Sequence, residues 1–429
     1  MNIVERARAF VQGLRELAGR AAWEWRRCPR CGESLTCKNG SYRRHPWFFE
    51  GRRAVRVQRH WCHGCRRSYS ERSALLVRGS WYAREVHRCA IDHWQHVGSS
   101  VRRTAEWLRS WLGRQERWLL WRPLGEPPAE RERCRLSAST VDRWLDRAGR
   151  AAERTVAGQL AGLPGSGQLA TDGLWAKLRG GAKRVVLLLV DSVSGLAWPP
   201  VVVADEATAP RWGRLFDRAR AAGLDLDTLC GVTSDGARGL SAYLNQALEG
   251  VGHQRCVFHL WRTLGEAMAA AARAAADGLA GEAAELARQQ TRAEPARLLH
   301  GVLDATTAAA ARTALAQVAA HPRGSGLARA AGEHPEAALL HLKRSNRGLL
   351  RVAPEWCWRD FRLRLGHARN HRSDERLERA ALVWATYRNF TPAQERYERK
   401  RRYRHPGQCP LTVAGVPPGP CSYLDALAV

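Results

Sequence analysis

Four cysteines stand as two pairs, Cys28-Pro29-Arg30-Cys31 and Cys62-His63-Gly64-Cys65, with thirty residues between them. Two thiolates separated by two residues in a tight turn, freed here by Gly32 or Gly64, point at one metal. Two such turns supply the tetrahedral sulfur set that Zn²⁺ prefers. Four sulfur ligands leave no open coordination position, so zinc held by Cys28, Cys31, Cys62 and Cys65 is structural. Cys37, His45, His60 and His63 lie nearby and read as surface residues. Two acids invite a different chemistry: Asp172 in Ala170-Thr171-Asp172-Gly173 and Asp235 in Val232-Thr233-Ser234-Asp235-Gly236, each ending an apolar segment. Asp-Gly alone is a turn signal. Beside strands of one sheet, however, two carboxylates can converge, and they repel unless a hard divalent cation such as Mg²⁺ or Mn²⁺ lies between them. A metal pair held this way serves the attacking and leaving oxygens of a phosphodiester.

The elements that must position these groups are legible in outline. Alternation over Arg52-Arg53-Ala54-Val55-Arg56-Val57-Gln58-Arg59 reads as an antiparallel ribbon between the cysteine pairs. From Ser99 to Gly113, Val101, Ala105, Leu108 and Leu112 fall at helical spacing; a second helix starts after Leu136 and carries Arg143 and Arg147. The two resemble a helix-turn-helix, with an ordinary helical linker as the alternative and an unusually long, proline-broken connection from Gly113 to Leu136. Strands are predicted over Leu169–Leu178, Arg184–Asp191, Leu196–Ala204, Leu229–Thr233 and Gln254–Leu260, with helices over Pro210–Ala222 and Leu240–Leu248. Three antiparallel strands leading into parallel ones are the order of a ribonuclease H-like fold. Alanine and leucine dominate residues 262–340, which read as helical. The segment Ile3–Trp23 reads as an amphipathic helix.

Charge narrows the partners. The 429 residues carry 69 basic and 41 acidic side chains, net +28. Residues 1–150 hold 32 basic and 15 acidic groups (net +17), residues 151–340 hold 19 and 18 (net +1), and residues 341–429 hold 18 and 8 (net +10). A near-neutral middle between basic ends points to a polyanion gripped at both ends, with binding that falls steeply as salt rises. A membrane is disfavoured: the longest aliphatic run, Val185–Val190, is six residues, against the ~20 of a spanning helix. Glu5, Glu16 and Glu24 interrupt any secretory core at the start, so the twelve cysteines read as thiols or ligands in a cytoplasmic protein. In the basic end, Arg399, Lys400 and Arg401 are phosphate candidates, and the nearby aromatic rings could pack helices or stack on bases.

Taken in order, Thr171-Asp172-Gly173, Thr233-Ser234-Asp235-Gly236, Gln254-Arg255-Cys256-Val257-Phe258-His259 and the terminal Asn389-Phe390-Thr391-Pro392-Ala393-Gln394 resemble a bacterial insertion-sequence transposase of the DDE class. With the zinc ribbon and the helix-turn-helix the resemblance covers nearly the whole chain. It implies a multidomain α+β protein: an N-terminal helix over 1–25, a zinc ribbon over 26–75, a helix-turn-helix-like region over 80–150, and a ribonuclease H-like core over 165–262 and 341–390. A helical insertion over 263–340 and a basic tail over 391–429 complete it. The implied activity is metal-dependent cleavage of transposon ends in double-stranded DNA and transfer of the 3′-hydroxyl to target DNA, by a homo-oligomer in a synaptic complex at the nucleoid. Asp172 and Asp235 would hold the metals. The family's third acid follows a Thr/Ser-Asn pair, yet Ser345-Asn346-Arg347-Gly348-Leu349-Leu350 has none, and Glu355 is the nearest candidate. Glu375 and Glu378 read as solvated ion pairs of a charged helix. Two alternatives stay open, a transposase-derived DNA-binding protein without activity and a ribonuclease H-like nuclease. Cys256 and His259 read as packing or positioning groups near Asp235.

Overall fold

The computed structural model describes residues 27–71, 73–112, 134–160, 163, 165–320, 339–342, 361–362, 371–392, 407–416 and 422–427. The segment 1–25, Glu355, and Arg399, Lys400 and Arg401 lie outside the described residues. The fold is mixed α+β and divides into two compact units, residues 1–151 with 419–429, and residues 152–418. No helix among the described residues is long and apolar enough to cross a membrane.

In the first unit, β1 (Thr36–Arg44), β4 (Val55–Cys62) and β5 (Arg67–Ser70) form an antiparallel sheet in the order β1-β4-β5, beside the small hairpin of β2 (Trp47–Phe48) and β3 (Gly51–Arg52). Three helices follow: α1 (Arg84–Val97), α2 (Val101–Trp111) and α3 (Ala138–Leu160). Helix α1 escapes a reading based on the 99–113 and 136–145 segments alone. It buries Val86, Ala90, Ile91 and Trp94, and stops at Gly98 in the left-handed conformation, φ 65°. Ser100 then caps α2 by accepting from the Arg103 amide. The short connection, residues 98–100, therefore joins α1 to α2 rather than α2 to α3.

The second unit is built on a five-stranded sheet in the order β10-β9-β6-β7-β8. Its strands are β6 (Gln168–Lys177), β7 (Lys183–Asp191), β8 (Val201–Val203), β9 (Gly231–Ser234) and β10 (Gly252–Arg255). β6, β7 and β8 run antiparallel in sequence, whereas β9 is parallel to β6 and β10 to β9. The run Val185–Val190 is wholly buried because both faces of β7 are covered. Trp212, Leu215 and Phe216 of α4 (Ala209–Ala221) belong to this core. Leu377, Ala381, Trp384 and Ala385 of α9 (Asp374–Phe390) pack with Val186, Leu188, Val190 and Val202. Between them in sequence come α5 (Arg238–Ala247), α6 (Val257–Ala275), α7 (Gly281–Leu303) and α8 (Ala308–Ala320).

Two strand predictions are corrected. Leu196–Ala204 shrinks to Val201–Val203 because Pro199 and Pro200 lack the amide that a ladder needs. Gln254–Leu260 is strand only to Arg255, and Val257 opens α6, so Cys256 and His259 stand at a helix start. Glu378 is a half-buried clamp rather than a solvated group. It accepts the Val202 amide at 2.9 Å and pairs with Arg218. Asn389 is buried and pairs with the backbone of Ala197 through both amide atoms, at 2.8 Å each. These contacts fix α9 against the sheet.

Candidate functional site

The first site forms at one end of the three-stranded sheet. The turn after Cys28 closes through the Gly32 amide on the Cys28 carbonyl, 2.9 Å, with Gly32 at φ 75°. In the second turn the left-handed residue is Arg66, φ 51°, and Gly64 instead gives room to Glu33, whose Cγ would lie 3.1 Å from an added Cβ. The Sγ atoms of Cys28 and Cys65 are 3.7 Å apart, those of Cys31 and Cys62 3.5 Å, and all four lie within 4.8 Å of one another. Tetrahedral Zn–S bonds of about 2.3 Å give S···S edges of about 3.8 Å, so the four thiols can hold a zinc ion. Against desolvation, which raises it, amides of Arg30 and Cys31 and the neighbouring thiols draw the Cys28 thiol down to about 6. Desolvation and the other thiols push Cys65 up to about 12. Cys37 sits on β1 opposite Trp61, and His60 stacks on Tyr69, so neither joins the set.

The second site lies in the middle of β6 and just past the end of β9. Ala170 is in register with Thr233 across these parallel strands. Asp172 and Asp235 each follow that last pair by two residues: β6 runs on through Asp172 to Lys177, while β9 ends at Ser234 and Asp235 enters a turn. Asp172 is 4% exposed and accepts its neighbour's amide, that of Gly173, at 2.9 Å. Asp235 accepts the Ala237 amide at 3.0 Å across a turn that needs Gly236, φ 91°. The Ser234 hydroxyl is 2.7 Å from His253 Nε2, and the Cys256 amide donates to the Ser234 carbonyl at 2.6 Å. These bonds tie β10 and the start of α6 to the Asp235 turn. Burial lowers the His253 pKa, a shift that Asp235 opposes and Arg255 reinforces.

Glu206 is the acid that sequence reading missed. It lies in the loop between β8 and α4, where its carbonyl accepts Trp212 Nε1 at 3.0 Å. Burial, and after it the charge of Asp235, raise its carboxyl pKa, while a hydrogen bond from Trp175 lowers it. Gly173 leaves the carboxylate its place: an added Cβ would come within 2.5 Å of Glu206 Oε2. Gly239, at the start of α5, does the same for the loop backbone, at 2.5 Å from the Glu206 carbonyl. The available signal was that Glu206, like Asp235, closely follows an apolar strand. These three carboxylates are spread more widely than the thiols, which among the described residues are the set gathered within 4.8 Å.

Basic residues form a third feature, within the first unit. Arg143 and Arg147 are exposed and one helical turn apart on α3. They border a groove of about 660 Å³ together with Arg52, Arg135, Trp81 and Trp144. No acidic residue among the described residues lines it. His87 lies beneath, stacked on Trp144 with ring centroids 3.8 Å apart and bonded through Nε2 to Ser80 at 2.8 Å. Burial and the charges of Arg147 and Arg84 push its pKa down to about 3.

A four-thiol set, acids on β6 and after β9, and an arginine-lined groove are the features that the described residues form. Residues 200–321 match the family model of the Mutator family of transposases, "Transposase, Mutator family". The match includes Glu206 and Asp235 and stops short of Asp172. It supports a transposase function in general, and with it a DNA-binding enzyme that cleaves and joins strands. No curated protein matches the chain.

Proposed function

We propose that this protein is an insertion-sequence transposase of the DDE class, with a ribonuclease H-like core that cuts transposon ends and transfers the 3′-hydroxyl to target DNA. The observation that supports this reading is that Asp172 and Asp235 each follow by two residues the last paired residues, Ala170 and Thr233, of neighbouring parallel strands. The sheet order β10-β9-β6-β7-β8, three antiparallel strands followed by two parallel ones, supports the ribonuclease H-like assignment.

The donor set is all carboxylate, which suits a hard cation. Asp172 and Asp235 would hold Mg²⁺ or Mn²⁺, which when bound supplies charge neutralisation to the oxygens of a phosphodiester. Glu206 brings a third carboxylate beside β6, in the room left by Gly173. Glu355 is the third acid that the family resemblance suggests, and the assay below compares it with Glu206. His253 holds the Ser234 hydroxyl and so steadies the turn that presents Asp235. Structural zinc on the four cysteines would shape the ribbon, while Arg143 and Arg147 contact phosphates of the terminal repeats. Arg399, Lys400 and Arg401 add basic contacts in the tail. Joining two ends requires at least two copies of the chain in one complex.

The test is incubation of the full chain with labelled duplex bearing the element's terminal repeats and Mg²⁺ or Mn²⁺. Joined products support the transposase, and nicking alone supports a nuclease. Binding without cleavage rejects the enzyme reading and favours a DNA-binding derivative, the reading suggested by the missing acid after Ser345-Asn346. Glu206→Gln and Glu355→Gln in the same assay identify which third carboxylate matters.

A further inference from the structure

The groove of the first unit is built for more than duplex phosphates. Among the described residues its charged groups are all arginines, whose planar forks match phosphate oxygens. Its walls are aromatic, and the Trp81 side belongs to a segment held rigidly. The Trp47 amide donates to the Trp81 carbonyl and the Ala83 amide to the Trp47 carbonyl, each at 2.8 Å. The Tyr82 amide is bonded to Ser80 Oγ at 3.0 Å, and that hydroxyl is bonded to His87. On this pinned backbone the Trp81 side chain is left 73% exposed. Trp144 differs, being buried and already stacked on His87.

An exposed indole on a fixed backbone, among arginines and away from carboxylates, is a stacking platform with its ordering entropy largely settled in advance. Bases inside a duplex present edges to a protein and keep their faces stacked on one another. A ring face can be used only by a base that has left the stack. A cleft of about 660 Å³ lies within the range of roughly 300–1,000 Å³ that encloses small organic ligands, so a nucleotide fits it. We propose that the groove captures an unpaired nucleotide, its base on Trp81 and its flanking phosphates on Arg143 and Arg147. The proposal shares with the proposed function the choice of DNA as polymer and the phosphate contacts of Arg143 and Arg147, and is independent of the carboxylate site.

The experiment uses the full chain, zinc retained and no Mg²⁺ added, with three probes of equal length: a blunt duplex, the same duplex with one bulged 2-aminopurine, and single-stranded DNA carrying 2-aminopurine. Anisotropy gives affinity and 2-aminopurine emission reports stacking. The bulged duplex should bind about tenfold more tightly than the blunt one, with its emission quenched. Trp81→Ala should abolish both differences, and Trp81→Phe should restore the preference. Arg143→Gln with Arg147→Gln should weaken all probes and flatten the slope of log K against log salt by about 1.4–1.8. Thermal unfolding of each variant checks that the fold is kept; if Trp81→Ala unfolds, Trp81→Phe with the wild type decides. Equal binding of blunt and bulged duplex, or a Trp81→Ala loss shared by both, overturns the nucleotide pocket alone. Failure to bind any probe overturns it together with the DNA-acting reading, and loss of end cleavage with the bulge preference intact overturns only the latter.

Discussion

Arg88 and Asp425, 337 positions apart in sequence, form an ion pair at 2.6 Å inside the first unit. Arg88 also donates to Ser422 Oγ at 3.0 Å, and Tyr423 donates its hydroxyl proton to Asp92 at 2.5 Å. A four-residue helix, Tyr423–Ala426, capped by Ser422 and Asp425, is thereby fastened to α1. The end of the chain thus completes the unit that its beginning starts.

Asp425→Asn should lower the stability of that unit by about 1.5–3 kcal/mol at neutral pH, the range for a hydrogen bond to a charged partner. Burial acts to raise the Asp425 carboxyl, but Arg88 and Ser422 outweigh it and hold it below its ordinary value of 3.8. A depressed carboxyl stabilises above its unfolded value and loses that contribution as pH falls through the folded one. Urea midpoints of wild type and variant should differ at pH 7 and converge in acid; a difference that persists unchanged at pH 2 argues against the ion pair as its source.

His87 has the opposite titration logic. Its folded pKa is about 3, against 6.5 in an ordinary histidine. The unfolded chain therefore binds the extra proton first. Stability should be full above about pH 6.5 and fall by about 1.4 kcal/mol per pH unit between there and about pH 3. His87→Gln, which keeps a polar partner for Ser80, should flatten this slope in urea titrations followed by tryptophan emission. An unchanged slope would show that another group is responsible.

Loss of zinc should unfold the ribbon. The full chain is expected to bind about one Zn²⁺, and Co²⁺ in its place should give tetrahedral and thiolate charge-transfer bands. Because thiolates are the ligands, affinity should fall as pH falls and protons compete. Cys62→Ser should lose the bands and the ion, as measured by metal analysis after gel filtration. Retention of full occupancy would rule out the four-thiol site.

Mn²⁺ titration calorimetry probes the carboxylates without reference to turnover. Glu206→Gln should weaken binding by about 10–100-fold, and Asp172→Asn or Asp235→Asn by more. Gly173→Ala, whose Cβ would stand 2.5 Å from Glu206 Oε2, should displace that carboxylate and resemble Glu206→Gln. If Glu206→Gln binds as wild type while Asp172→Asn does not, Glu206 is not part of the metal site. Gly239→Ala meets the loop backbone at 2.5–2.8 Å and should instead destabilise the second unit.

Much was legible in the sequence because it was local. The two cysteine knuckles, the six-residue apolar run of β7, the helix that begins after Ser99-Ser100 and the Asp235-Gly236 turn after β9 each depend on neighbours within a few positions. Periodicity and turn chemistry act over that range. The strand ends went astray where proline or a helix start intervened, at Pro199-Pro200 and at Cys256.

Residue types and spacing by themselves determined that Cys28, Cys31, Cys62 and Cys65 could share a metal and that Asp235 follows a strand end, whereas Asp172 proved to lie within β6. They could not determine that Glu206 approaches Asp235, that Arg143 and Arg147 border a groove with Trp81, or that Asp425 meets Arg88. Each of those depends on pairings between segments far apart in the chain. Sheet order and helix docking choose those pairings through the burial of whole apolar faces, and no short stretch of sequence carries that choice.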